Sequence, residues 1–159
     1  MSFSIRKGRP EDMSSVLKLI QELANFEKEP NAVEVTEEIL QRDGFGAQPL
    51  FNTLVAEVGD EIVGMALFYP RYSTWKGPTI HLEDLIVKEA YRGKNIGSAL
   101  FREVIQYSAD KGVKRVEWVV LDWNDPAIEF YEKRGARVLR DWDTVQLEGA
   151  AINQFLKRF

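Results

Sequence analysis

Two acidic residues stand side by side in an apolar run, Ile80-His81-Leu82-Glu83-Asp84-Leu85-Ile86-Val87. Carboxylates cost free energy in such a run unless they are paired or used. Perturbed acids gather at functional sites, and also in structural ion pairs. For each acid, a place at the frayed end of a strand or an ion pair is the alternative reading. Further on, Arg92-Gly93-Lys94-Asn95-Ile96-Gly97 reads as a turn from the buried strand into a helix. Backbone N–H groups entering a helix converge on one spot, and the helix dipole favours an anion there. A pyrophosphate fits such a pocket only if no side chain blocks it, which gives Gly93 and Gly97 their weight. An ordinary strand-to-helix loop has the same outline. The segment is not a P-loop, because the first glycine and the hydroxyl after Lys94 are missing. It also lacks the three glycines of a dinucleotide fingerprint.

Composition narrows the chemistry. The chain has 159 residues and 45% apolar side chains, enough for one domain, 1–159, with a real core. There is no cysteine, which removes disulfides, thiolate nucleophiles and Cys-based metal sites. The single histidine, His81, has no second histidine to share a metal or a proton relay, and a structural role is expected for it. No metal is expected. A net charge of −4 argues against nucleic acid as a main partner. No apolar run has the length of a membrane span, and Met1 to Lys7 lacks a signal-peptide core, so a cytoplasmic protein without a membrane partner is expected.

The elements that must position these residues follow from periodicity. Phe3 to Lys7 alternates and reads as a strand. Pro10-Glu11-Asp12 opens a helix, and Met13, Val16, Leu17, Ile20, Leu23 and Ala24 share its buried face. A second short helix starts after Thr36 and passes Ile39 and Leu40, with Asp43 to Gly46 as a loop. Thr53 to Val58 and Glu61 to Tyr69 form a hairpin about Gly59-Asp60. Pro70 to Pro78 reads as a loop and Thr79 to Val87 as the next strand. Strict alternation puts Glu83 with Leu85 and Val87 on one face, and Asp84 with Leu82 and Ile86 on the other. A helix follows from Asn95 to about Lys111, with Ile96, Leu100, Val104 and Tyr107 inward and Gly112 as its cap. Arg115 to Leu121 is a strand, Pro126 to Arg134 a helix ended by Gly135. Ala136 to Leu139 and Thr144 to Leu147 can pair as a last hairpin, and Glu148 to Phe159 reads as a short helix.

Arg92 to Gly97 resembles the R/Q-x-x-G-x-G/A acetyl-CoA signature of the GNAT N-acetyltransferases, with Asn95 where glycine is usual. Asn tolerates the left-handed region better than most residues. Asn124-Asp125-Pro126-Ala127-Ile128-Glu129-Phe130-Tyr131-Glu132-Lys133-Arg134-Gly135-Ala136 resembles the family's N-x-x-A-x-x-F-Y-x-x-x-G-F/A segment. Leu82 to Val87 resembles its fourth strand. The resemblance runs through the whole chain and is strongest to the branch that acetylates diamines, polyamines and thialysine. Ala24 to Glu27, Asp43 to Gly46, Tyr72 to Gly77 and Leu121 to Asn124 carry it. It implies an α/β (α+β) fold, a mixed central sheet with helices on both faces, and a gap beside the fourth strand.

It also implies roles. Acetyl-CoA is the expected co-substrate, a small primary amine the expected acceptor, and a homodimer the expected assembly. An ammonium must lose its proton before it attacks, and the departing thiolate benefits from an acid. By resemblance Glu83 is the general base and Tyr131 the acid; on residue pattern alone Tyr131 is a core aromatic. Leu85, Ile86 and Val87 match the main-chain contacts to the pantetheine arm. Arg92, Gly93, Lys94, Asn95, Ile96, Gly97 and Ser98 match the phosphate contacts. Asn124 and Lys133 match further contacts to the co-substrate. Phe26, Glu27, Glu83 and Asp84 match the amine pocket, with Phe26 where a tyrosine is common. Ser73 and Thr74 follow the thialysine type; polyamine enzymes often carry an acid there. A CoA-binding module without catalysis, and an enzyme acting on protein lysines or N-termini, are the rival readings.

Overall fold

In the computed structural model, residues 2–158 are described. They fall into two compact units, one up to Val119 and one from Val120 onward. The first unit holds the sheet. Its elements are β1 (Ser4–Lys7), a 3-10 turn (Pro10–Asp12), α1 (Met13–Phe26), α2 (Glu37–Phe45), β2 (Asn52–Val58), β3 (Glu61–Ser73), β4 (Gly77–Val87), α3 (Ile96–Asp110) and β5 (Val116–Glu117). The strands lie in the order β1-β2-β3-β4-β5, antiparallel except for the parallel β4–β5 pair.

One layer packs α1 and α2 on the sheet. Met13, Val16 and Leu19 of α1 and Leu40 of α2 cluster with Val55, Met65, Leu67 and Ile86. Leu19 belongs to the face that periodicity assigned to its neighbours, while Leu17, Ile20 and Leu23 are only partly buried. α3 covers the opposite layer, where the Phe68 and Tyr107 rings meet edge to face at 5.0 Å. Gly64 lies under α3, and a methyl group there would stand 3.3 Å from a Leu100 methyl.

Several boundaries differ from the sequence reading. Helix α2 runs on through Phe45, so Asp43 to Phe45 is helical rather than loop. A Cβ on Gly44 would fall 2.6 Å from the Phe51 ring, so that turn of helix tolerates only glycine in this packing. Thr36 caps α2 as expected, accepting from Ile39 N at 3.2 Å. The segment from Pro70 to Pro78 is mostly strand: β3 reaches Ser73 and β4 starts at Gly77. Pro70 is tolerated because β2 pairing stops at Phe68, which leaves that side of β3 a free edge. Ser73 Oγ accepts from Trp75 N and Lys76 N and shapes the three-residue tip.

The expected strand Arg115 to Leu121 shrinks to Val116–Glu117. Only Ile80 and His81 of β4 find partners there.

The second unit contains α4 (Asp125–Glu132) and α5 (Ala150–Arg158). Asn124 caps α4 through Ala127 N, and the chain leaves the helix at Gly135, φ +88°. The hairpin expected between Ala136 and Leu147 is absent among the described residues. Leu139, Val145 and Leu147 are exposed, and two short segments without a sheet to join do not hold as a hairpin. The tail helix begins at Ala150 rather than Glu148, and Phe159 lies outside the described residues.

Candidate active site

The exposed edge of β4 is the first feature of the site. Lys88 N donates to Val63 O at 2.8 Å, which makes Val63 and Lys88 a hydrogen-bonded pair. Antiparallel pairs alternate. Met65/Ile86 is therefore hydrogen-bonded as well, while Ala66/Leu85 and Gly64/Val87 are not. The N–H and C=O groups of Leu85 and Val87 thus point away from β3, to the side that β5 covers only at Ile80 and His81. Arg92 Nε reaches Val87 O on that side at 2.9 Å. The splayed edge expected beside the fourth strand is present, and it presents the main chain of Leu85 and Val87.

The turn after β4 is the second feature. Gly93 and Asn95 both have positive φ, +74° and +65°. Glycine takes that region freely and asparagine better than other residues. Asn95 stands at the N-cap of α3 but makes no side-chain cap bond, and the first backbone bond of the helix is Ala99 N to Asn95 O. A Cβ on Gly97 would meet only a Val87 methyl, at 3.7 Å. The protein's own packing therefore does not demand glycine there; the space lies on the outer side. The Arg92 guanidinium lies 6.0 Å over the Phe26 ring, and Lys94 Nζ is held by Ala90 O at 3.1 Å.

The third feature is a cluster of acids, and here strict alternation fails. The β3–β4 register runs Leu67 opposite Asp84, then Phe68 opposite Leu82. Glu83 is the extra residue of a β-bulge. Leu67 and Tyr69 share a face of β3, so Asp84 and His81 opposite them share it too. Glu83 joins that face, since its Oε2 accepts from Tyr69 Oη at 2.7 Å and lies 3.5 Å from His81 Nε2. The two acids expected on opposite faces therefore point to the same side, that of α1. Leu82 goes to the other face, because Phe68 opposite it packs on Tyr107 of α3.

Glu27 completes the cluster from the end of α1. Burial, then the charges of Glu83 and Glu27, push the Asp84 carboxyl up to about 7. Partial desolvation and then the Glu83 charge raise Glu27, although the residue as a whole is exposed. Burial, then donation to Glu83, pushes the Tyr69 phenol up to about 12. No Lys or Arg among the described residues pairs with Glu27, Glu83 or Asp84. No group of three His, Asp or Glu among them could hold a metal ion. Three acids spread along one wall suit a cation with length.

The other expected residues are placed as follows. Tyr131 lies on α4 in the second unit, half-buried, its ring 5.3 Å from Phe130; burial holds its phenol above the usual value. Lys133 pairs with Glu129 at 3.1 Å, and Asn124 is occupied as the α4 cap. Ile96 is fully buried and anchors the start of α3, and Ile86 is buried in the α1 layer. Sequence reasoning missed Tyr69 and Arg71, and it read His81 as structural. Spacing alone does not line them up with Glu83, because the bulge shifts the register by one residue.

A mixed five-stranded sheet, splayed at β4, with a glycine-bearing turn into a helix, defines the class. A description of the acetyltransferase (GNAT) family matches residues 16–136. The chain belongs to the GNAT acetyltransferase family and is an N-acetyltransferase. Among its relatives are a thialysine N-epsilon-acetyltransferase of Sus scrofa, 40% identical over 96% of each chain, and one of Caenorhabditis elegans, 36% identical over 97% of each. An integron cassette protein from the mobile metagenome of V. cholerae has the same fold, with TM-score 0.80, 22% identity and 99% of each chain covered. So does an aminoglycoside acetyltransferase from an uncultured soil sample, with TM-score 0.72, 22% identity, and 91% of this chain and 97% of that one covered.

Proposed function

We propose that the protein moves an acetyl group from acetyl-CoA directly to a primary amine of a small molecule, a thialysine- or lysine-like amino acid or a short diamine. The observation that carries this reading is the wall of three acids, Glu83 and Asp84 on the open-edged strand β4 and Glu27 at the end of α1, without Lys or Arg partners among the described residues. The uncapped α3 terminus, the outward space at Gly97 and the main chain of Leu85 and Val87 fit the co-substrate, which would supply the acetyl thioester. The backbone from Arg92 to Ser98 binds its phosphates, Ile86 anchors the strand, and Asn124 and Lys133 give outer contacts. Glu83 Oε1 takes the proton of the ammonium, directly or through water. Tyr131, kept protonated by burial, gives its phenolic proton to the departing sulfur. Phe26, Glu27 and Asp84 hold the amine. One domain spanning 1–159, a homodimer and a cytoplasmic location belong to this reading; family matching across both compact units, and Ile152 and Leu156 exposed on α5, support the first two.

A screen of amines with acetyl-CoA, read by free thiol, tests the reaction and the substrate together. Turnover on lysine-like amines or diamines is expected. Tight CoA binding without amine-dependent thiol release favours a regulatory module, and faster turnover on peptides favours a protein acetyltransferase. Tyr131→Phe is expected to lower kcat by about 10-fold, near the low end of general acid effects, with little change in CoA affinity. Equal loss of affinity and rate would count against the acid role.

A further inference from the structure

His81 is 8% exposed and stands where β3, β4 and β5 meet. Arg71 Nη1 lies 3.3 Å from His81 Nδ1. Arginine has donors only, so in this contact Nδ1 is the acceptor and carries no proton. The proton of the neutral ring is then on Nε2, the nitrogen 3.5 Å from Glu83 Oε2. Arg71 is itself fixed, because the same Nη1 lies 3.0 Å from Glu117 Oε1 on β5. Glu117 also faces Arg115 at 3.6 Å. The Tyr69 ring lies 5.2 Å from the imidazole and donates its hydroxyl to the same Oε2. Tyr69 thus donates to Oε2 of Glu83, and His81 Nε2 stands within 3.5 Å of the same oxygen. Among the described residues, Oε1 has no protein donor.

We propose that His81, locked by Arg71 as the Nε2–H tautomer, is a positioning residue that with Tyr69 turns Glu83 so that Oε1 meets the substrate ammonium. The inference rests on Glu83 being the proton acceptor. A carboxylate that is half exposed on a bulge has several side-chain rotamers open to it, and a fixed one places the base within reach of the proton it removes. The 3.5 Å separation is long for a hydrogen bond, and such contacts shorten when substrate fills a site. The groups facing His81 are Tyr69 and Arg71 on β3, Glu83 on β4 and Glu117 on β5; Glu27 at the end of α1 feels the charge of Glu83.

His81 is the chain's one histidine, so selective 15N-histidine labelling of the tag-free protein gives ring signals without ambiguity. Protonated Nε2 with bare Nδ1 is expected; an Nδ1–H tautomer, or rapid exchange between the two, overturns the proposal. Kinetics give the second readout, with the amine that turns over fastest in the screen. His81→Leu is expected to lower kcat/KM for that amine by about 10-fold, less than the roughly 100-fold that a 1 Å misplacement can cost, with KM for acetyl-CoA unchanged. His81→Gln, whose amide N–H reaches the same place, is expected to recover most of the loss. Arg71→Met is expected to cost activity in the parent and nothing further in His81→Leu. Full activity in His81→Leu, or no recovery in a folded His81→Gln, overturns the proposal. Glu83→Gln separates the two readings: if that variant keeps full activity, the base assignment fails, while the ring signals still report the tautomer.

Discussion

Arg6, Asp12 and Glu57 form one cluster of ionisable side chains, and Glu27, Glu83 and Asp84 form another, on opposite terms. In the first, Arg6 donates to both Asp12 oxygens, at 2.7 and 3.0 Å, and to Glu57 at 2.5 Å. Asp12 also accepts from Arg9 N at 2.7 Å. The Arg6 guanidinium holds the carboxyls of Asp12 and Glu57 below their ordinary values. The second cluster has no Lys or Arg partner among the described residues, and its Glu27 and Asp84 carboxyls are raised instead. The first is complete within the protein and ties β1 to the turn before α1 and to β2. Under the proposed function, the second would be completed by the ammonium of a bound amine. A cluster that costs stability until a ligand fills it is the mark of a binding site rather than of a brace.

Substitution can break this contrast. The largest effect is expected from Glu83→Gln, which should lower kcat/KM for the amine by roughly 100-fold. The loss should be greatest below about pH 9, where an alkylammonium still holds its proton, and should vanish as the amine deprotonates. CoA affinity, read by calorimetry, should not move. Equal rates for both proteins across that range would remove Glu83 from the mechanism.

Next, Arg6→Met should cost roughly 2–3 kcal/mol of stability, below the range for a fully buried pair because Arg6 is partly exposed. Activity per folded molecule should be unchanged. Asp12 is depressed in the folded state, so its contribution is present above the unfolded value of about 3.9 and is lost as pH falls through the folded one. In denaturant titrations the gap between parent and variant should therefore be smaller at pH 3 than at pH 7.

The smaller effect has the opposite sign. Asp84 is raised to about 7 in the folded chain, so between the unfolded value and that one the folded state holds the extra proton. Stability then falls as pH rises across this window. Asp84→Asn should raise stability by about 1–2 kcal/mol at pH 8 and by nothing at pH 4, while weakening amine binding. A loss of stability at pH 8 would mean that Asp84 is a brace like Asp12, and the contrast would fail.

Much of this was legible in the chain. The left-handed position at Asn95, the uncrowded Gly97, the Thr36 cap and the helix end at Gly135 are local, set by two to four neighbouring residues. The apolar periods of α1 and α3 placed most of their buried faces for the same reason. The adjacent acids stood out in the chain as candidates for a site, because charges in an apolar strand cost free energy unless paired or used.

The facing of those acids was decided elsewhere. Glu83 shares a side with Asp84 only because β3 leaves one residue of β4 unmatched, and nothing within β4 marks where the mismatch falls. The same holds for His81: its tautomer depends on Arg71, ten positions away along the hairpin, and Arg71 depends on Glu117 in another strand. The strand expected from Arg115 to Leu121 was cut to two residues by the divergence of β5 from β4, which pairing energies along either strand alone do not encode. Periodicity and turn chemistry act over a few residues, so the chain by itself fixed its elements and the residue types of its site. Register and splay are properties of strand pairs, so only the folded sheet could set which groups meet.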